Sequence, residues 1–157
     1  MNEHTIEKLA QAIHADYAAK MRDAGQTNHP NAVEWDALPD EFKESNRAQA
    51  RDIGAKLAAA GFFIDAGGRA SSRAVYVESF DPSTTLLLAR FEHDRWMKEK
   101  LANGWVYAPV RDNAKKHHPC LVPYEELSLE EQQKDINVVN NIIPLLTSVG
   151  LRVCKAI

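Results

Sequence analysis

The sequence predicts a mainly α protein with a minor β part: two pseudo-symmetric helix-pair lobes from an internal duplication, with short strands at the lobe connection and the C-terminus. Three observations carry that expectation. Apolar residues recur at spacings of three and four over four long stretches, and caps, prolines and glycines punctuate the ends of those stretches. Two short β-prone runs, FFIDA and AVYV, lie between the second and third stretches. The second half of the chain then repeats the landmarks of the first.

The stretch from Thr5 to Ala24 places Ile6, Leu9, Ile13, Tyr17 and Met21 on one helical face, with Thr5 positioned to cap its start and Gly25 to end it. Leu38-Pro39-Asp40-Glu41 sets a proline and two acids in the first turn of a second helix, where the helix dipole favours negative charge. Phe42, Ala50, Ile53 and Leu57 carry that helix to Gly61. FFIDA and AVYV flank the polar GGRASSR, which predicts a short hairpin. Asp81-Pro82 opens a third helix through Leu87, Leu88, Phe91, Trp96, Met97 and Leu101 to Gly104. Ser128 and Glu131 form a capping-box pattern for a fourth that ends at Gly150. Pro144 lies inside that fourth helix, lacks a backbone donor, and should kink or restart it.

The repeat is visible residue by residue. At an offset of 79, Leu9, Ala10, His14 and Gly25 fall on Leu88, Ala89, His93 and Gly104, and Tyr17 falls on Trp96. At an offset of 89, His29-Pro30, Leu38, Ile53 and Gly61 fall on His118-Pro119, Leu127, Ile142 and Gly150, and Trp35 falls on Tyr124. Half-repeats 5–66 and 81–157 within one domain, 1–157, follow, because each amphipathic pair has an apolar face that needs a partner. The ten residues by which the offsets differ fall in GWVYAPVRDNAKKHHPCLVPY, Gly104 to Tyr124. That loop was elaborated beyond what packing a helix pair requires.

Composition narrows the function classes. With 157 residues, 45% hydrophobic and 26% charged, the chain can bury an ordinary core. A formal charge of -3 supplies no basic field for nucleic acid or an anionic membrane. Apolar runs such as Leu86–Ala89 are far shorter than the ~20 residues that span a bilayer, and MNEHTIEKLAQ has no signal-peptide pattern. A soluble, cytoplasmic protein without nucleic-acid or membrane partners is expected, with Cys120 and Cys154 reduced.

HDRWMKEKLANGW, YAPVRDNAKKHHPCLVPYEELSLEEQ and LLTSVGL together resemble the RyR domain, the repeat of ryanodine receptors that also occurs in short stand-alone bacterial proteins. The shared pattern is a histidine and tryptophan on a helix, then Gly-Trp, an aromatic, a proline, Arg-Asp, a basic pair, His-Pro and Leu-Val-Pro-aromatic. WDALPDEFKESNRAQARDIGAKLAAAGF looks like the tail of a first half-repeat. Where the second half has Gly104-Trp105 the first has Gly25-Gln26, so a clamp with an aromatic from each half lacks one side here. In ryanodine-receptor repeats the connection equivalent to GGRASSR carries kinase sites. In this chain Ser71 and Ser72 read as part of a linker.

The loop's chemistry suits a small anionic, aromatic ligand such as a nucleotide. Trp105 and Tyr107 offer faces to a planar ring, Arg111 and Lys115 can hold phosphate or carboxylate oxygens, and Trp96 can wall the pocket. Asp112, His118 and Tyr124 complete the candidate ligand-binding set. His117, His118 and Cys120 lack a second ligand pair at zinc spacing, so no metal or cofactor is expected. His93 reads as a helix histidine satisfied at the lobe interface. No GxSxG, phosphate loop or HExxH occurs, and a binding module rather than an enzyme follows. The alternative is a protein–protein interaction module using the same aromatic and basic surface.

Overall fold

The computed structural model describes residues 1–66 and 73–157, so that most of GGRASSR, including Ser71 and Ser72, lies outside the described residues. The order is α1 (Glu3–Asp23), α2 (Asp40–Ala59), β1 (Phe62–Asp65), β2 (Ala74–Tyr76), α3 (Pro82–Ala102), β3 (Val106–Tyr107), β4 (His117–His118), α4 (Leu129–Asn140), α5 (Ile142–Ser148) and β5 (Arg152–Ala156). Single 3₁₀ turns lie at Trp35–Ala37 and Tyr124–Glu126. The fold is mainly α with minor β. It divides into two compact units, Met1–Glu78 with Ile142–Ile157, and Ser79–Asn141.

In the first unit α1 packs on α2, and α5 packs on α1. Leu9, Leu57, Leu146 and Val153 are fully buried there. Each such side chain contributes about 1.5–3 kcal/mol. The half-exposed Arg47–Glu7 bridge between α1 and α2, at 2.7 Å, is worth about 0.2–1 kcal/mol, so apolar burial rather than ion pairing holds the helices together. The start of α1 departs from expectation. Asn2, not Thr5, is the N-cap, its Oδ1 accepting from the Thr5 N–H at 2.8 Å; an asparagine three residues upstream captures the free donor first and lengthens the helix.

The hairpin expected from FFIDA and AVYV does not form. β5 runs antiparallel between β1 and β2, with Phe63 opposite Cys154 on one side and Tyr76 opposite Cys154 on the other. The C-terminal strand provides a central partner with both edges to fill, so the local pairing loses to a distant one. Pro144 has the expected effect. The fourth helix is broken at Asn141, beside the Asn140 carbonyl to which Pro144 cannot donate, and it restarts as α5.

In the second unit α3 packs on α4, with Leu88, Ala89 and Val139 fully buried. Asp81 caps α3, its Oδ1 accepting from the Thr84 N–H at 2.7 Å. Ser128 caps α4 through the Glu131 N–H at 3.2 Å. The side chain of Glu131 is engaged elsewhere, so only half of the expected capping box forms.

Candidate functional site

The Gly104–Tyr124 segment is stitched into a compact turn although its sequence has no period. Gly104 ends α3 at φ +86°, and the Gly104 and Trp105 N–H groups return to the Leu101 and Lys100 carbonyls at 3.1 and 3.0 Å. That left-handed close reverses the chain, as Gly25 does after α1. Two short strands follow in parallel, Val106 beside His117 and Tyr107 beside His118. Asp112 and His117 exchange backbone hydrogen bonds at 3.0 and 2.9 Å, and Asp112 Oδ1 accepts from the Lys115 N–H at 3.1 Å. Lys116 Nζ closes the turn on the Asn103 carbonyl at 2.8 Å.

This turn, α3 and α4 enclose a cavity of about 290 Å³. Trp96 supplies an aromatic wall. The His93 ring stacks on it at 5.6 Å and 20°, and the His118 ring meets it edge-on at 4.9 Å and 77°. His118 Nδ1 accepts from the Cys120 N–H at 3.0 Å, so its proton sits on Nε2. Burial, then the nearby Arg111 and Lys100 charges, push the His118 pKa down and favour the neutral ring. His29, at the matching place in the first half, accepts in the same way from the Asn31 N–H at 3.1 Å. His93 donates through Nε2 to the Val122 carbonyl at 2.7 Å, as His14 does to Val33 at 2.6 Å. His93, expected to be satisfied at the lobe interface, is satisfied on a carbonyl of its own unit.

Charge around the cavity is uneven. Arg111 and Lys100 line it with no ion-pair partner among the described residues; Arg111 donates to Asn113 Oδ1, and Lys100 lies over the Trp105 ring at 4.8 Å. Three carboxylates from the helices also line it. Glu92 is held by Arg95 at 2.8 Å. Glu131 is held by Lys134 at 3.0 Å, and that bond above all keeps its pKa low. Asp135 stands 3.5 Å from His93 Nδ1, and burial is the main cause that lifts its pKa from 3.8 to about 6. Burial also pushes the Cys120 thiol up, with the Glu131 charge acting in the same direction.

The residues expected from sequence therefore separate. Trp96, Arg111 and His118 line the cavity together. Trp105 sits behind His118, ring to ring at 6.0 Å, and supports Lys100 rather than lining the cavity itself. Tyr107 is 56% exposed beside it, Lys115 is exposed, and Asp112 serves the turn. Tyr124 is 4% exposed, belongs to the core and meets His93 edge-on at 6.2 Å. Sequence reasoning missed Lys100, Cys120 and the α4 acids Glu131 and Asp135. Their signal was spacing: Glu131, Asp135 and Val138 recur at four and three and share a helical face. Among the described residues no group of three His, Cys, Asp or Glu is placed to hold a metal, and no helix is long and apolar enough to cross a membrane.

The family model for the RyR domain matches residues 74–155, more than half of the 157 residues. The match takes in β2, the whole Ser79–Asn141 unit with every cavity-lining residue, and all but the last residue of β5. The chain belongs to the RyR domain family.

Proposed function

We propose that this RyR domain is a non-catalytic binding module that takes a small, planar, anionic ligand of the nucleotide class in the cavity between α3 and α4. One observation carries the reading: a tryptophan and a neutral histidine ring converge with two cations, Arg111 and Lys100, on one concave site. Its volume of about 290 Å³ falls just below the range of ligand pockets, roughly 300–1,000 Å³, which limits it to a ligand no larger than a mononucleotide. Trp96 and His118 take the stacking role expected of Trp105, and Lys100 takes the anion-holding role expected of Lys115. Groups with catalytic potential are otherwise engaged: His93 is tied to a carbonyl, and the Cys120 thiol is held in its weakly nucleophilic form. A cytoplasmic setting, rich in nucleotides and reducing towards thiols, is the compartment this reading calls for.

A melting-temperature screen against nucleotides tests it. A ligand at a hundredfold excess over Kd should stabilise the fold by about 2.7 kcal/mol. Trp96→Ala should abolish the shift, and Arg111→Ala should weaken binding most at low salt, because the lost interaction is electrostatic. A panel without any shift would refute the reading. The protein–protein alternative draws on a separate observation, the exposed ridge of Val106, Tyr107 and Val110 at 50%, 56% and 75% exposure, and predicts that the ridge rather than the cavity is sensitive to substitution.

A further inference from the structure

The acids lining the cavity are not equivalent. Glu92 accepts from Arg95 at 2.8 and 3.1 Å, and Glu131 accepts from Lys134 at 3.0 Å. The carboxylate of Asp135 accepts no hydrogen bond among the described residues. Its nearest partner, His93 Nδ1, is 3.5 Å away, beyond hydrogen-bond length, and the Nε2 N–H of His93 is given to the Val122 carbonyl. The Asp135 side chain is only 16% exposed, so the cavity holds a largely dry carboxylate whose acceptor oxygens are open. The two ends of the cavity also carry different fields. Arg111 and Lys100 are the leading cations that act on His118, with Glu131 and Lys134 behind them, whereas Asp135 feels His93, Glu92, Glu131 and Arg95 and neither Arg111 nor Lys100.

From these contacts we infer that Asp135 reads the donor edge of the ligand's ring while Arg111 and Lys100 meet its anion, so that the site takes a 2-amino-6-oxopurine nucleotide, the guanine class. This rests on the ligand-binding reading above. A desolvated carboxylate is relieved most by two parallel N–H donors, which its two oxygens accept side by side. Guanine presents such a pair, N1–H beside the 2-amino group. Adenine and cytosine set one N–H donor next to a ring-nitrogen lone pair, which would face the second carboxylate oxygen. Uracil and xanthine flank their N–H with carbonyl oxygens. Hypoxanthine keeps N1–H and lacks the amino group. The match is one of donor count and direction, and it needs no residue beyond those already lining the cavity.

Isothermal titration of the full chain with GMP, IMP, XMP and AMP near neutral pH tests the inference. GMP should bind roughly tenfold or more tightly than IMP, the loss expected when a hydrogen bond to a charged group is deleted, and XMP and AMP should bind more weakly than GMP. Asp135→Asn, which offers an amide N–H in place of one acceptor oxygen, should shift preference from GMP towards XMP. Equal binding of all four, unchanged in Asp135→Asn, overturns the inference and leaves the ligand-binding reading standing. Binding by none of the four overturns both. Should Asp135→Asn fail to fold, the GMP-to-IMP ratio in the unaltered chain decides the matter alone.

Discussion

Replacing Asp135 with asparagine should stabilise the protein, and only above the pH at which the aspartate ionises. In the folded chain burial lifts this carboxyl from 3.8 to about 6, against the pull of His93 and with the push of Glu92 and Glu131. Because the folded value is raised, the folded chain keeps the proton through that window while the unfolded chain has released it. Stability is therefore greatest below pH 3.8 as far as this group is concerned, and it falls as pH rises towards about 6. The gap of roughly two units corresponds to about 3 kcal/mol, since each unit is worth about 1.36 kcal/mol. Asparagine has the shape of the protonated acid and none of the charge. Urea unfolding followed by tryptophan fluorescence should show Asp135→Asn more stable than the parent by about 2–3 kcal/mol near pH 7.5, with the gap closing near pH 4. Other titrating groups are common to both proteins and cancel in the difference. A variant that is less stable at neutral pH, or shifted equally at both pH values, would refute the argument that the cavity desolvates this charge.

Gly104→Ala tests the turn that closes α3. At φ +86° an L-residue is strained by about 1–2 kcal/mol, and because an added Cβ would meet nothing nearer than Lys116 Nζ at 3.8 Å, a loss of that size in urea unfolding isolates the backbone contribution. Chelation with EDTA should leave the melting temperature unchanged, and a fall of several degrees would show that His117, His118 and Cys120 hold a structural metal.

The helices were legible because their signals are local: a period of three and four, a cap or proline at the start, a glycine at the end. Pro144 was legible for the same reason, since its missing donor acts within one turn. The sheet was not, because the choice between pairing β1 with β2 and pairing both with β5 depends on a strand more than seventy residues away. The candidate site was half legible. Trp96, Arg111 and His118 stood out as unusual types in an unusual loop, whereas Glu131 and Asp135 looked like the solvated face of an amphipathic helix until the turn folded against them. Tyr124 shows the converse. An aromatic next to a proline reads equally well as a ligand contact or as core, and only its burial decides.

The placement of β5 at the centre of its sheet fixes an order of events. β1 and β2 are made long before β5, the strand that pairs with both among the described residues, so neither can complete that ladder until the chain has been made through Ala156. Ser79–Asn141, contiguous and with its own buried residues, has no such wait. The helices around the candidate cavity can thus pack without the sheet, while the sheet needs a strand brought back across a long loop whose closure slows folding. A chain stopped at Gly150 would keep the cavity-lining residues and leave the exposed edges of β1 and β2 without the strand that pairs them, a state prone to aggregation rather than to loss of the site.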